Sequence, residues 1–225
     1  MNLINFELIN KKQLTEDVFE LIFKPSEKKE IIPGQFVIFN IQKIDKIIKR
    51  AYSIADYNEK TSEITLLIKN IGYGSNLICC LNIGEKLSGM YPLGVFTLKK
   101  TDNNKLFLAT GTGFAPIYYQ AKSFLEKNNS QNKVLLLFGL RYEKDVFYKE
   151  KLEKLKQKYK NFDYKIFLSR EMQTGYEYGY ISSYLSKDNI KDFDEFYICG
   201  GPQVVKPIVE DLKEKSKENI FFESY

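Results

Sequence analysis

A polar run, Lys99-Lys100-Thr101-Asp102-Asn103-Asn104, separates two stretches of chain whose hydrophobic patterns require different architectures. Before it, β-branched and aromatic residues come in short runs closed by turn residues. Val18 to Phe23 leads into a charged turn at residues 26–30, Pro33-Gly34 opens Gln35 to Ile41, and Ala51 to Tyr57 and Glu63 to Lys69 follow. Asn82-Ile83-Gly84-Glu85 marks one more turn, and Pro92 and Gly94 punctuate the next. Strands this short and closely spaced predict an antiparallel sandwich or barrel. One helix is expected within it, over 75–81, with Ser75 as a candidate N-cap.

After the polar run the period changes. Lys105 to Ala109 is a compact apolar strand, and Ile117, Ala121, Phe124 and Leu125 then share one helical face. Val134 to Phe138 and Tyr164 to Leu168 read as strands, with Tyr148, Leu152, Leu155 and Tyr159 striping a helix between them. Glu195 to Cys199 is a fourth strand, Val204, Ile208 and Leu212 mark another helix, and Ile220 to Glu223 is a fifth strand. Parallel strands need crossovers, which this alternation supplies, so the expected product is a doubly wound parallel sheet. Ligands in such a sheet sit at the carboxyl ends of the strands. The chain thus divides into an antiparallel β-barrel domain over 1–100 and an α/β domain over 105–225.

Composition narrows the chemistry. The 225 residues include no histidine, which excludes His-based triads and His general bases. Cys79, Cys80 and Cys199 fall short of the thiolate set of a cysteine-ligated iron–sulfur cluster, and no metal site is expected. They imply no disulfide framework either, so a reducing cytoplasm is the expected compartment. A net charge of +5, with both signs interspersed, does not suit a nucleic-acid binder. No run approaches the roughly 20 apolar residues of a membrane span, and the first residues lack the order of a signal peptide. A cofactor is expected to carry whatever reaction occurs here.

Several motifs suit such a cofactor. Thr110-Gly111-Thr112-Gly113-Phe114-Ala115-Pro116 follows a strand and opens a helix, where free N–H groups and the positive dipole end can meet an anion. Arg50-Ala51-Tyr52-Ser53 joins a phosphate-clamping cation to an aromatic ring and a hydroxyl. Gly72-Tyr73-Gly74-Ser75 offers a second helix start. Each has a bland reading as an ordinary turn or an edge strand. Their order carries more. Arg50 to Ser53, Gly72 to Ser75, Tyr91 to Phe96, Gly111 to Pro116, Tyr197-Ile198-Cys199-Gly200-Gly201-Pro202 and Phe222-Glu223-Ser224-Tyr225 together resemble the ferredoxin–NADP(+) reductase superfamily over nearly the whole chain.

The resemblance implies a barrel that holds FAD and an α/β domain that holds NADPH or NADH. It places Arg50 on the flavin pyrophosphate, with Gly72, Gly74 and Ser75 at the helix start. Ala51 and Tyr52 would lie along the flavin, and Ser53 near its N5. Gly111, Thr112 and Gly113 would face the nicotinamide dinucleotide. Cys199 would sit beside the nicotinamide, with Gly200 and Gly201 giving it room. Glu223 would lie at the flavin edge, and Tyr225 would cover the flavin face until displaced. Ser53, Cys199, Glu223 and Tyr225 form the implied catalytic set. Ser169 and Arg170 would bind a 2′-phosphate and Tyr178 would stack on adenine, although no Lys or Arg follows between 171 and 186 to assist.

The implied activity moves a hydride between NAD(P)H and FAD and single electrons between FAD and a separate ferredoxin or flavodoxin. Lys43, Lys46, Lys49 and Arg50 are candidates to steer such an acidic carrier. Alternatives within the family are the reductase component of an oxygenase and a free-flavin reductase; outside enzyme function, a flavin-binding subunit without turnover. The family's fused CxxxxCxxC cluster domain is absent from the sequence, so an iron–sulfur partner would be a separate chain. Tyr91 stands where the family usually has glycine, and the Gly72 to Ser75 element is short, which leaves FMN open beside FAD.

Overall fold

The computed structural model describes residues 3–127 and 131–225. They form two compact units, up to Leu98 and from Lys99 onward.

The first unit is a closed antiparallel barrel. Its strands are β1 (Ile4–Gln13), β2 (Val18–Pro25), β3 (Phe36–Lys43), β4 (Lys46–Asn58), β5 (Glu63–Lys69) and β6 (Lys86–Leu93), with helix α1 (Tyr73–Cys80) between the last two. They close in the order β1-β2-β5-β4-β3-β6. Alternation places Phe6, Leu8, Leu21, Phe23, Val37, Phe39 and Tyr91 inside, fully buried. Phe39 makes ring contacts with Phe6 and Phe23 at 5.2 and 5.1 Å. The hydrophobic runs in the sequence do not mark β1 and β6, and they begin β4 five residues late.

Helix α1 also begins earlier than expected. Gly72 is its extended N-cap, and Ser75 lies inside the first turn. The Ser75 hydroxyl accepts from the backbone N–H of Ile71 and Gly72, each at 3.0 Å. Ser75 therefore braces the turn from within rather than capping it.

The second unit is a parallel sheet. Its first part runs β7 (Lys105–Thr110), α2 (Phe114–Lys127), β8 (Val134–Leu140), α3 (Lys149–Lys158) and β9 (Phe162–Leu168). Then come β10 (Glu177–Tyr178), α4 (Lys187–Ile190), β11 (Glu195–Gly200), α5 (Pro202–Glu214) and β12 (Asn219–Ser224). The strand order is β10-β9-β8-β7-β11-β12, with every pairing parallel. The chain winds outward from β7 to β10 and then returns to β7's other side as β11. That reversal opens the topological switch point at the carboxyl ends of β7 and β11. Two-residue β10 is too short to leave a periodic signal.

At the opposite ends of β7 and β11 lies a buried polar cluster. Lys105 and Glu195 form an ion pair at 2.7 Å, with side chains 0% and 3% exposed. Glu195 also accepts from Thr101, Asn103 and Tyr197, and the Tyr197 hydroxyl in turn accepts from the Lys99 backbone N–H. The polar run that reads as a linker is thus bound to the sheet through its side chains.

Candidate functional site

In the barrel unit, strand β4 presents the Arg50 to Ser53 motif opposite Phe39, Ile38, Val37 and Phe36 of β3 in turn. Arg50 and Ala51 are exposed, while Tyr52 and Ser53 are half-buried. Burial, with a smaller contribution from Cys79, pushes the Tyr52 phenol up to about 12. Tyr52 is therefore a neutral ring with a hydrogen-bonding tip. A Cβ added to Gly74 would lie 3.1 Å from Arg50 Cγ, so the Arg50 side chain runs directly over the first turn of α1. The N–H groups of that turn have no partner within the helix. Gly74 thus permits a fixed cation and a helix N-terminus to share one anion cradle. Ser75 lines it only through its backbone, because its hydroxyl is occupied with Ile71 and Gly72. Cys79 is buried in the packing, whereas Cys80 is exposed.

In the α/β unit, Gly111 to Gly113 forms a single 3-10 turn between β7 and α2. Gly111 has φ 53°, in the left-handed region that favours glycine. A Cβ on Gly113 would stand 2.5 Å from the Cys199 carbonyl oxygen, and one on Gly200 would collide with Thr110 Oγ1. Backbone therefore packs on backbone where β7 and β11 end. Gly201 caps α5, with Pro202 in its first turn.

Cys199 pairs in register with Ala109 on one side and Glu223 on the other. It is 2% exposed. Burial first, and then the charge of Glu223, hold its thiol well above the ordinary range, so it is a small neutral group rather than a thiolate. Glu223 is half-buried on β12. The Tyr225 hydroxyl accepts from the Gly113 N–H at 2.7 Å and donates to the Thr110 carbonyl at 3.1 Å, with Thr112 Oγ1 3.5 Å away. Tyr225 thus occupies an amide of the very turn the sequence assigns to the dinucleotide.

Ser169 and Arg170 follow β9. The Ser169 hydroxyl donates to the Leu140 carbonyl, and Arg170 N–H donates to the Arg141 carbonyl at 3.0 Å. Arg141 and Arg170 therefore leave adjacent strand ends side by side, both exposed. Tyr178 pairs with Leu168 and is 59% exposed. The acidic neighbours are engaged: Glu171 accepts from Glu143 N–H at 2.7 Å, and Glu177 pairs with Lys165. Sequence reasoning misses Arg141 as a second cation when it looks only downstream of Arg170. The available signal is positional, since Arg141 follows β8 as Ser169 follows β9.

Among the described residues, no group of three or more acidic, cysteine or histidine side chains is placed to hold a metal. No described helix is long and apolar enough to cross a membrane. Residues 5–98 match the family described as oxidoreductase FAD-binding domain, and residues 107–210 the oxidoreductase NAD-binding domain. The chain belongs to the ferredoxin–NADP(+) reductase superfamily. It is an oxidoreductase whose cofactors are FAD and NAD(P)H. As a superfamily member it aligns with a component of Na(+)-translocating NADH-quinone reductases from several bacteria. It is 27% identical to that of Marinomonas sp. (strain MWYL1) over 95% of this chain and 58% of the relative. It is 28% identical to that of Neisseria meningitidis serogroup B over 82% of this chain and 51% of the relative. The chain thus spans little more than half the length of these curated relatives.

Solved superfamily structures share the fold. The flavohem-like FAD/NAD binding domain of nitric oxide dioxygenase from Vibrio cholerae superposes with a TM-score of 0.88 at 18% identity, covering 99% of this chain and 98% of that one. A ferredoxin NADP+ reductase from Neisseria gonorrhoeae with bound FAD and NADP gives 0.84 at 17% identity, covering 100% and 99%. The residues present fit both cofactors. Arg50 over the Gly74 turn suits a diphosphate in the barrel, and the Gly111 to Gly113 turn stands at the carboxyl end of β7, where a doubly wound sheet receives a dinucleotide.

Proposed function

We propose that this chain passes reducing equivalents from NADPH through FAD to a separate one-electron carrier protein of the ferredoxin or flavodoxin type. The observation that carries the reading is one FAD-binding and one NAD-binding oxidoreductase domain in tandem. FAD, when bound, supplies the chemistry, accepting an electron pair from the nicotinamide and releasing electrons singly. The side chains bind and orient. Arg50 and the first-turn amides of α1, with Gly72 and Gly74 giving access, hold the flavin pyrophosphate. Ala51 and Tyr52 would support the flavin, and the half-buried Ser53 hydroxyl would supply it a hydrogen bond. Gly111, Thr112 and Gly113 receive the dinucleotide, and Gly200 lets the end of β11 pack against Thr110 beside that turn. Cys199, buried at the end of β11, underlies the nicotinamide position as a compact neutral group, and Glu223 sets the charge beside it.

NADPH is favoured over NADH because Arg141 and Arg170 can share a 2′-phosphate, with Tyr178 as an adenine platform. NADH is a second reading, since the aligned relatives are named as components of NADH-quinone reductases. The three free thiols suit a reducing compartment such as the cytoplasm.

Anaerobic mixing of the yellow protein with each nicotinamide tests the assignment. Rapid bleaching by NADPH, followed by reoxidation with an oxidised ferredoxin or flavodoxin, is the expected result; no bleaching by either nicotinamide would remove it. Arg141→Ala and Arg170→Ala should each raise KM for NADPH about tenfold or more while leaving NADH unchanged, as loss of a hydrogen bond to a charged group requires. Equal effects on both nucleotides would remove the 2′-phosphate role.

Tyr225 gives a separate expectation. Its hydroxyl must leave Gly113 before the dinucleotide can use that amide. Tyr225→Phe keeps the ring but frees the N–H, so NADP+ should bind about three- to tenfold more tightly, the worth of one hydrogen bond. Unchanged affinity in equilibrium titration would show that the turn is not the point of competition.

A further inference from the structure

The hairpin joining β3 to β4 turns on Ile44 and Asp45, between the paired Lys43 and Lys46. Ile44 has φ 49° and 82% of its surface exposed. A β-branched side chain is poorly suited to that left-handed backbone, where such turns ordinarily use glycine, asparagine or aspartate. Neither folding nor solubility favours isoleucine there. Ile47, on the returning strand, is 60% exposed. Tyr73, half exposed, is tied to the same hairpin: its hydroxyl donates to the Gln42 carbonyl at 3.1 Å, and Lys43 Nζ lies 5.3 Å from its ring centre. Lys43 and Lys46 flank the turn, Lys49 lies three residues further along β4, and Asp45 is the only acidic residue between 43 and 50. The surface is a protruding aliphatic tip among ammonium groups.

We propose that this tip is an anchor for an anionic phospholipid surface. Ile44 and Ile47 enter the headgroup layer, while Lys43, Lys46 and Lys49 meet lipid phosphates. Lysine stems can lie along the apolar surface with their charged ends outward, which suits such a boundary. An acidic carrier protein steered by charge would account for the lysines but not for an aliphatic side chain held out on strained backbone. This placement is independent of which nicotinamide or carrier the chain uses.

Sedimentation of the full chain with phosphatidylcholine vesicles, with and without phosphatidylglycerol, tests the proposal. Binding is expected on the anionic vesicles, several-fold weaker on neutral ones and weakened by salt. Ile44→Asn combined with Ile47→Ser should lower anionic-vesicle partition about tenfold. Ile44→Asn alone should keep or raise the melting temperature, because it relieves the left-handed strain. Loss of vesicle binding without loss of stability is the signature of a surface retained for its partner. Equal or absent binding to the two vesicle types, or undiminished binding by the isoleucine variant, overturns the anchor. So does a variant that instead loses association with an acidic electron carrier in lipid-free solution, which would make the tip a protein interface.

Discussion

Gly113→Ala is expected to slow nicotinamide-driven flavin reduction at least about a hundredfold while the protein stays yellow. The added methyl would stand 2.5 Å from the Cys199 carbonyl oxygen and 2.8 Å from the Gly200 backbone nitrogen. Both are backbone atoms in a central strand, and no rotamer change can relieve the clash. The turn must move off β11, carrying with it the amides that would receive the dinucleotide. A displacement of roughly 1 Å at a binding turn can cost about a hundredfold in rate, and the overpacking itself costs about 1–3 kcal/mol. The barrel unit's own residues are untouched, so flavin content separates a local lesion from general misfolding. A reduction rate within threefold of the parent, measured anaerobically, would show that this close approach is not required.

The second large effect concerns stability. Glu195→Gln or Lys105→Met should each destabilise the α/β unit by about 3–5 kcal/mol, because either leaves a buried charge without its partner. For a unit of this size the corresponding fall in Tm is roughly 10–20 °C. Lys105→Met with Glu195→Leu should recover part of the loss, since it removes the unpaired charge but leaves the Thr101, Asn103 and Tyr197 donors without the Glu195 carboxylate. A double variant as unstable as either single one would contradict this account.

The same pair sets a pH dependence. Burial alone would raise the Glu195 carboxyl, but hydrogen bonds from Lys105, Thr101, Tyr197 and Asn103 outweigh it and hold the group below the ordinary carboxylate range. Its stabilising contribution is therefore complete above the unfolded carboxylate value and is lost as pH falls through the lower folded value. Burial lowers the Lys105 ammonium despite Glu195, so the lysine adds no stabilisation at acid pH. Thermal melts from neutral to strongly acid solution should show the parent losing stability faster than the double variant.

The motifs that build the cradles are legible in the sequence because each is local. Gly111 and Gly113 bracket one turn, Gly200 and Gly201 bracket another, and the strand and helix periods around them carry across a few residues. The barrel and the doubly wound sheet follow from the same periods. What escapes such a reading is short, mixed in pattern, or distant. Two-residue β10 has no period. The polar end of β1, with Lys11, Lys12 and Gln13, masks the alternation of Ile4, Phe6 and Leu8. Ser75 looks like a cap in sequence because its position just inside the helix depends on the extended backbone at Gly72.

Taken by itself, the chain's order of residues determined two architectures and the turns at which anions could be met, because burial period and turn chemistry act over neighbouring residues. Only the tertiary structure decided which distant groups meet. Strand register set Arg141 beside Arg170 and Cys199 between Ala109 and Glu223. It also joined Lys105 to Glu195 across 90 residues and carried the Tyr225 hydroxyl to Gly113 across 112. Those contacts depend on how strands align after the loops between them close. No local propensity encodes that alignment; the packing of the whole sheet selects it.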